Sequence, residues 1–470
     1  MNTRTNDLQA SVEASLVRHD VPGASVAIFH DGELTTAACG IANVTTGVKI
    51  TPDTVMHIGS ITKVFNATLV MQLVDDGVVD LDRRVVKYLP DLRLKDHEAL
   101  EQITVKMLLN HTSGIDGLML PDYGHDEETI EKGIVRFAEL GQVHRPGAEF
   151  SYCNAGSVIA GYLAQRLTGT SWYRLVRERI FEPLHMTHAA TLPEEALLYR
   201  TSVGHYQQPM RKQQLIRTSF AFLPLSFAPA GTTLMVSARD LIAFARAHMA
   251  NGVGENGARI LSARSAKAMQ DVSVNNKGKG YTYSTYADGV GLGWMVSENG
   301  LLHHGGGGPG ILSVLYAHPE RGFAAAILTN AEHGLRLINE LMDPWFKELG
   351  TTKPYHGADT HLPSEQMQLD SHQYVGVYEN VMSRYVVSRI PDGLALSKQA
   401  KFAQYESIST DATPPARLIP LGEETFLLES QEMDDNVPEE FRVFTFRNAD
   451  AQGHMQHLGN SLVLHKRVSS

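Results

Sequence analysis

Cysteine is scarce: the 470 residues hold only Cys39 and Cys153, far apart in the chain. Two such residues make neither a disulfide framework nor a zinc spacing. The 21 histidines include no His-Glu-x-x-His and no Cys/His cluster, so no metal and no cofactor is expected. Positive charge is also in deficit. Lys and Arg number 41 against 52 Asp and Glu, for a net charge of -11. That balance excludes the basic footprint of a nucleic-acid or anionic-membrane binder. No apolar run approaches a membrane span, and the opening MNTRTNDLQASVEASLV lacks the basic and apolar regions of an export signal. A cytoplasmic location is therefore expected, though a chain trimmed of such a signal would read alike. No internal repeat or low-complexity tract is present.

What remains is an ordinary globular composition, 43% hydrophobic and 20% charged. The length exceeds one ordinary core and points to two units. Leu8 to Val17 alternates at helical spacing. Ala24 to His30 is an apolar run followed by Asp31-Gly32 and a second run, a hairpin signal. From Ser60 to about Val272 the text is mostly helical, cut by Arg145-Pro146-Gly147 and Ala228-Pro229-Ala230-Gly231. Strand-like runs return at Leu292 to Val296, Leu301 to His304, Ile311 to Ala317 and Gly322 to Thr329, before a helical Leu335 to Leu349. Strands at both ends of a helical block imply one sheet closed by distant parts of the chain. The expected units are 1–350, a linker at 351–363, and 364–470, where about eight short β-like runs suggest a small sandwich or barrel.

Three strings carry chemistry. In His57-Ile58-Gly59-Ser60-Ile61-Thr62-Lys63, Ser60 falls where a helix begins and Lys63 lies one turn on, on the same face. A serine hydroxyl needs a neighbouring base, and a buried lysine amine can serve because desolvation disfavours its charged form. The helix start adds N–H groups suited to an oxyanion. Average usage yields roughly one or two Ser-x-x-Lys strings in such a chain, so this string alone decides little. The second, Ser151-Tyr152-Cys153-Asn154, offers a phenol to shuttle a proton and an amide to orient the lysine or accept a substrate N–H. Core packing of Tyr152 is an equal alternative, and Tyr378-Glu379-Asn380 has the same form by coincidence. The third is His303-His304-Gly305-Gly306-Gly307-Gly308. Its glycines permit close backbone approach, and an N–H from this strand paired with that of Ser60 would make a two-donor oxyanion hole.

Together, in this order, the strings resemble the penicillin-recognising serine enzymes: class C β-lactamases, D-alanyl-D-alanine carboxypeptidases, D-aminopeptidases and related esterases. The matching positions are Ser60/Lys63, Tyr152/Asn154 and His304/Gly306, with Leu108 to Gly114, Pro146-Gly147 and Gly291 to Trp294 similar as well. The resemblance covers about residues 8–350. It implies an α/β core with an all-helical lobe and the active site between them. By the same resemblance Ser60 is acylated, Lys63 activates it and Tyr152 relays the proton. Asn154, His304, Gly305 and Gly306 contact substrate, the N–H groups of Ser60 and Gly307 form the oxyanion hole, and His111 and Gly114 shape a turn. Residues 364–470 resemble the lipocalin-like barrel of some D-aminopeptidase relatives, which can border the cleft and restrict what enters.

The implied function is a serine hydrolase of peptides or amino-acid derivatives, with a D-residue at the acyl position. Alternatives are a penicillin-binding-protein-type thioesterase that cyclises nonribosomal peptides, a short-chain carboxylesterase and, least favoured, a non-catalytic binding protein. The partner is a small-molecule or peptide acyl donor, including a carrier-linked thioester, and no nucleic acid. One departure matters: His304-Gly305-Gly306 replaces Lys-Thr-Gly, so strong antibiotic hydrolysis is not expected.

Overall fold

A computed structural model describes residues 3–117, 122–126, 128–208, 211–219, 222–276, 288–297, 299–351, 370–401, 410–422, 424–429, 442–460 and 462–469. Helix α1 (Thr3–Arg18) leads into β1 (Gly23–His30) and β2 (Glu33–Asn43). Asp31 and Gly32 both take positive φ between them, the primed turn that an Asp-Gly pair favours. Ala24 to Phe29 pair antiparallel with Ala324 to Thr329, some 300 positions on, so the sheet is closed by distant segments. From one edge its nine antiparallel strands run Val48–Lys49, β2, β1, Phe323–Thr329, Ile311–His318, Leu302–Gly308, Met295–Val296, Gly289–Val290 and Val274–Asn275.

The two faces of the sheet have separate cores. Val26, Ile28, Tyr316, Ala325 and Ile327 pack with Val12 and Leu16 of α1 and with Ile338, Met342 and Phe346 of the helix Leu335–Leu349. Ala27, Leu315, Ala324 and Ala326 face the helical lobe. Alternate residues take opposite faces, as the strand period requires. At the centre of the lobe, α2 (Thr62–Asp75) is buried from Thr62 through Leu73, as expected of a helix apolar all round. It packs on α3 (Asn154–Thr168) and α4 (Ala238–Met249), where Phe65 stacks on Phe244 at 3.8 Å.

The stretch read as mostly helical also holds strands. Met235–Val236 pairs with Met56–His57 and Ala189–Ala190, and His205–Gln208 pairs with Arg211–Arg217. Met56–His57, Ala189–Ala190 and Met235–Val236, of two residues each, are too short to show alternation. The glycine run is itself strand, with Gly305 to Gly308 in register with Val314 to Ile311.

Of the linker, only Thr351 lies among the described residues. Farther on, eight antiparallel strands close into a barrel: Gly376–Glu379, Ser383–Ile390, Gly393–Ala400, Ala416–Pro420, Thr425–Leu428, Val443–Ala449, Met455–Asn460 and Val463–Ser469. Closure leaves no open edge. Tyr378, Tyr385, Phe426, Phe444 and Phe446 fill it. The Tyr378 hydroxyl donates to Tyr374 O at 2.8 Å and Asn380 Oδ1 accepts two N–H groups at 2.9 Å, so this second Tyr-x-Asn string serves packing and a turn. Among the described residues no helix is long and apolar enough to cross a membrane.

Candidate active site

Ser60 lies in a single 3-10 turn, Gly59–Ile61, that runs directly into α2. Two glycine contacts hold this turn against its neighbours. A Cβ at Gly306 would stand 1.9 Å from Ile58 O, and one at Gly231 would stand 2.5 Å from Gly59 O. The turn is thus clasped between the Leu302–Gly308 strand and the Ala230-Gly231 loop. Gly59, at φ +52, faces the same strand, where an added Cβ would lie 2.8 Å from Gly307 N. The Gly307 amide is therefore beside the Ser60 turn.

Lys63 is 2% exposed. Its Nζ donates to Ser60 Oγ at 3.1 Å and to Ala230 O at 2.5 Å. Burial lowers its pKa to about 7. Cys153 is close by, but burial pushes its thiol up to about 11, so at neutral pH it is uncharged and does not oppose that fall. Tyr152 comes from the segment before α3. Its hydroxyl hydrogen-bonds with Ser60, and Lys63 Nζ sits 4.6 Å from its ring centre. Burial raises the phenol above its ordinary value, so it is protonated at neutral pH.

His304 is 3% exposed and its ring centre lies 6.4 Å from that of Tyr152. Burial first, then the charge of Lys63, lowers its pKa to about 3. Its Nδ1–H donates to Gly305 O at 2.6 Å, which leaves buried Nε2 as an acceptor without a partner among the described residues. The third string therefore presents a neutral acceptor and no fixed positive charge. Asn154 opens α3, where Cys153 Sγ accepts Gly156 N–H at 3.2 Å. The structure so brings Ser60, Lys63, Tyr152, His304 and the glycine strand into one place.

Sequence reasoning missed three contributors. The Ala230 carbonyl, in a loop read only as punctuation, accepts from Lys63. His57 Nδ1 accepts Gly59 N–H at 3.0 Å while its Nε2–H donates to Thr232 O at 2.9 Å, which ties the Ser60 turn to that loop. His111, taken as a turn former, has φ +58 and packs its ring 4.5 Å from that of Tyr152. Its Nδ1 accepts Cys153 N–H at 3.2 Å. Only the immediate neighbourhood of His57 and Ser60 hinted at any of this. Among the described residues no three His, Cys, Asp or Glu side chains are grouped to hold a metal.

A family model described as Beta-lactamase matches residues 8–340. The chain belongs to the Beta-lactamase family. Penicillin-binding protein 4 of Amycolatopsis lactamdurans is 37% identical over 79% of this chain and 96% of that protein. Among solved structures, SurE with D-Leu is 25% identical, covers 99% of both chains and superposes with a TM-score of 0.75. The D-amino acid amidase from Ochrobactrum anthropi SV3, complexed with L-phenylalanine amide, is 26% identical over 73% of this chain and 99% of its own, with a TM-score of 0.60. Beta-lactamase family homologues are serine hydrolases, which supports an enzyme.

Proposed function

We propose that the protein forms an acyl-enzyme on Ser60 from amide or ester substrates whose acyl residue has the D configuration. The observation that carries this reading is the Lys63 amine, desolvated to a pKa of about 7 and 3.1 Å from Ser60 Oγ. Near neutral pH about half of the amine is free to take the hydroxyl proton. Tyr152, with its pKa raised, is the wrong group for a base and the right one for an acid.

As Oγ bonds to the substrate carbonyl carbon, its proton passes to Lys63 Nζ. The carbonyl oxygen takes the negative charge and is met by the N–H groups of Ser60 and Gly307. Collapse breaks the bond to the leaving group, which takes a proton from the Tyr152 hydroxyl, and Lys63 returns its proton to Tyr152. Water then attacks the ester carbon by the reverse relay and frees Ser60. Asn154 and His304 contact the substrate, and the neutral Nε2 of His304 suits an N–H donor. The D-Leu of the SurE structure and the D-amino acid amidase support the stereochemistry.

Acyl transfer to an amine, including cyclisation of a peptide thioester, is the second reading. It uses the same acyl-enzyme with an amine in place of water. The closed C-terminal barrel supports it, because the resemblance to the penicillin-binding-protein-type thioesterases includes such a domain. Turnover of D- and L-aminoacyl nitroanilides and nitrophenyl esters by wild type and Ser60→Ala tests the first reading, and equal rates in both proteins would end it. A linear peptide thioester ending in a D-residue, read by product mass, separates cyclic product from linear acid.

A further inference from the structure

The backbone that carries Tyr152 is irregular, and its N–H groups show what holds it. Ser151 N–H donates to His111 O at 2.9 Å and Cys153 N–H to His111 Nδ1 at 3.2 Å. Tyr152 N–H, between them, points the other way and donates to Leu462 O at 2.9 Å. Leu462 belongs to the barrel, in the turn between the strands Met455–Asn460 and Val463–Ser469. A second bond follows, from Leu464 N–H to Ser151 Oγ at 3.2 Å. Leu464 is also buried in a cluster with Phe150, Val290 and Met295, against which Tyr152 and Leu462 pack. Three more ties fix the barrel nearby: His457 Nε2–H to Val143 O at 2.8 Å, Val381 N–H to Asp116 Oδ1 at 2.9 Å, and Arg447 beside Glu149 at 3.5 Å.

We propose that this barrel turn is a positioning element for Tyr152, so that Leu462 and Leu464 set the rate of proton delivery to the leaving group. The inference rests on the Ser60 acyl-enzyme reading above. Extended backbone donates alternately to its two sides. His111 holds one side of the segment that carries Tyr152 and the barrel holds the other. A phenol displaced by about 1 Å can lose about 100-fold in rate, so a contact on its own backbone N–H acts on chemistry and not only on what enters the cleft.

The test compares two leaving groups on one small D-aminoacyl unit, in full-length protein. A nitroanilide must be protonated as it departs, whereas nitrophenolate leaves unaided. Ser151→Ala and Leu464→Ala are each expected to lower kcat on the nitroanilide by about tenfold or more, with KM little changed, and kcat on the nitrophenyl ester by less than about threefold. Ser151→Thr, which keeps the hydroxyl acceptor, restores the nitroanilide rate. Adding Ser151→Ala to Tyr152→Phe gives little further loss, because both act on one group. Equal losses on the two substrates, or an unchanged nitroanilide rate, would overturn the proposal. Should one variant fail to fold by its melting curve, the other still decides. Ser60→Ala run alongside separates this outcome from failure of the Ser60 reading, which alone predicts that both substrates lose turnover in that variant.

Discussion

Lys63 Nζ stands 3.1 Å from Ser60 Oγ, with the Ala230 carbonyl on its other side at 2.5 Å. The amine is held by one acceptor and aimed at one hydroxyl, with burial keeping much of it neutral.

That pairing sets the pH profile. Only the free amine accepts a proton, so kcat/KM should rise as pH climbs through about 7 and level off above it. Lys63→Arg, charged at every working pH, should lower kcat/KM by about 10²–10⁴-fold. Stability should follow the same group. The folded amine titrates near 7 and the free one near 10.5, so the cost of burying it is full below the folded value and fades as pH rises above it. Melting curves of Lys63→Met should therefore show a larger gain in Tm over wild type at about pH 6 than at about pH 9.

Tyr152→Phe keeps the ring that packs 4.5 Å from His111 and removes only the hydroxyl. On an amide substrate kcat should fall by about 10²-fold, with Tm nearly unchanged. Steady-state kinetics beside calorimetry checks this, and an unaltered kcat would remove the phenol from the relay.

Gly306→Ala would place a Cβ 1.9 Å from Ile58 O. The added Cβ meets main-chain atoms, so the strand and the Ser60 turn must part. A loss of about 1–3 kcal/mol in stability is expected, together with a fall in acylation rate, read by urea melting and by burst kinetics.

His304→Lys supplies the fixed charge that the neutral imidazole lacks. Acylation by a carboxylate-bearing β-lactam should gain about tenfold relative to a neutral ester. A second positive charge near Lys63 should also move the pH limb to lower values. Stopped-flow acylation at several pH values reads both.

The candidate site was legible wherever its geometry depends on neighbours in sequence. Ser60 and Lys63 share a helical turn, and the Asp31-Gly32 hairpin follows from local conformational preference. The sheet closed by distant segments follows from strand-like runs at both ends of the helical block, and the closed barrel from about eight short β-like runs together with the lipocalin resemblance. What stayed hidden depends on pairing across the chain. Nothing in Ala230 marks a carbonyl that lies 167 positions from its amine partner. His57 looked like a flank of the motif because its link to Thr232 is also long-range. The glycine run falls just beyond the strand read at Leu301 to His304, since glycine disfavours strands; it is itself strand through its pairing with Ile311 to Val314, and at Gly306 only a bare backbone fits against Ile58 and Gly59.

Intact-protein and peptide mass spectrometry after brief exposure to a mixed panel of D- and L-acyl donors tests the central claim most directly. The account predicts one acyl adduct, on Ser60, drawn mainly from the D-configured donors and absent from Ser60→Ala. An adduct on another residue, or donor turnover that persists in Ser60→Ala, would contradict it.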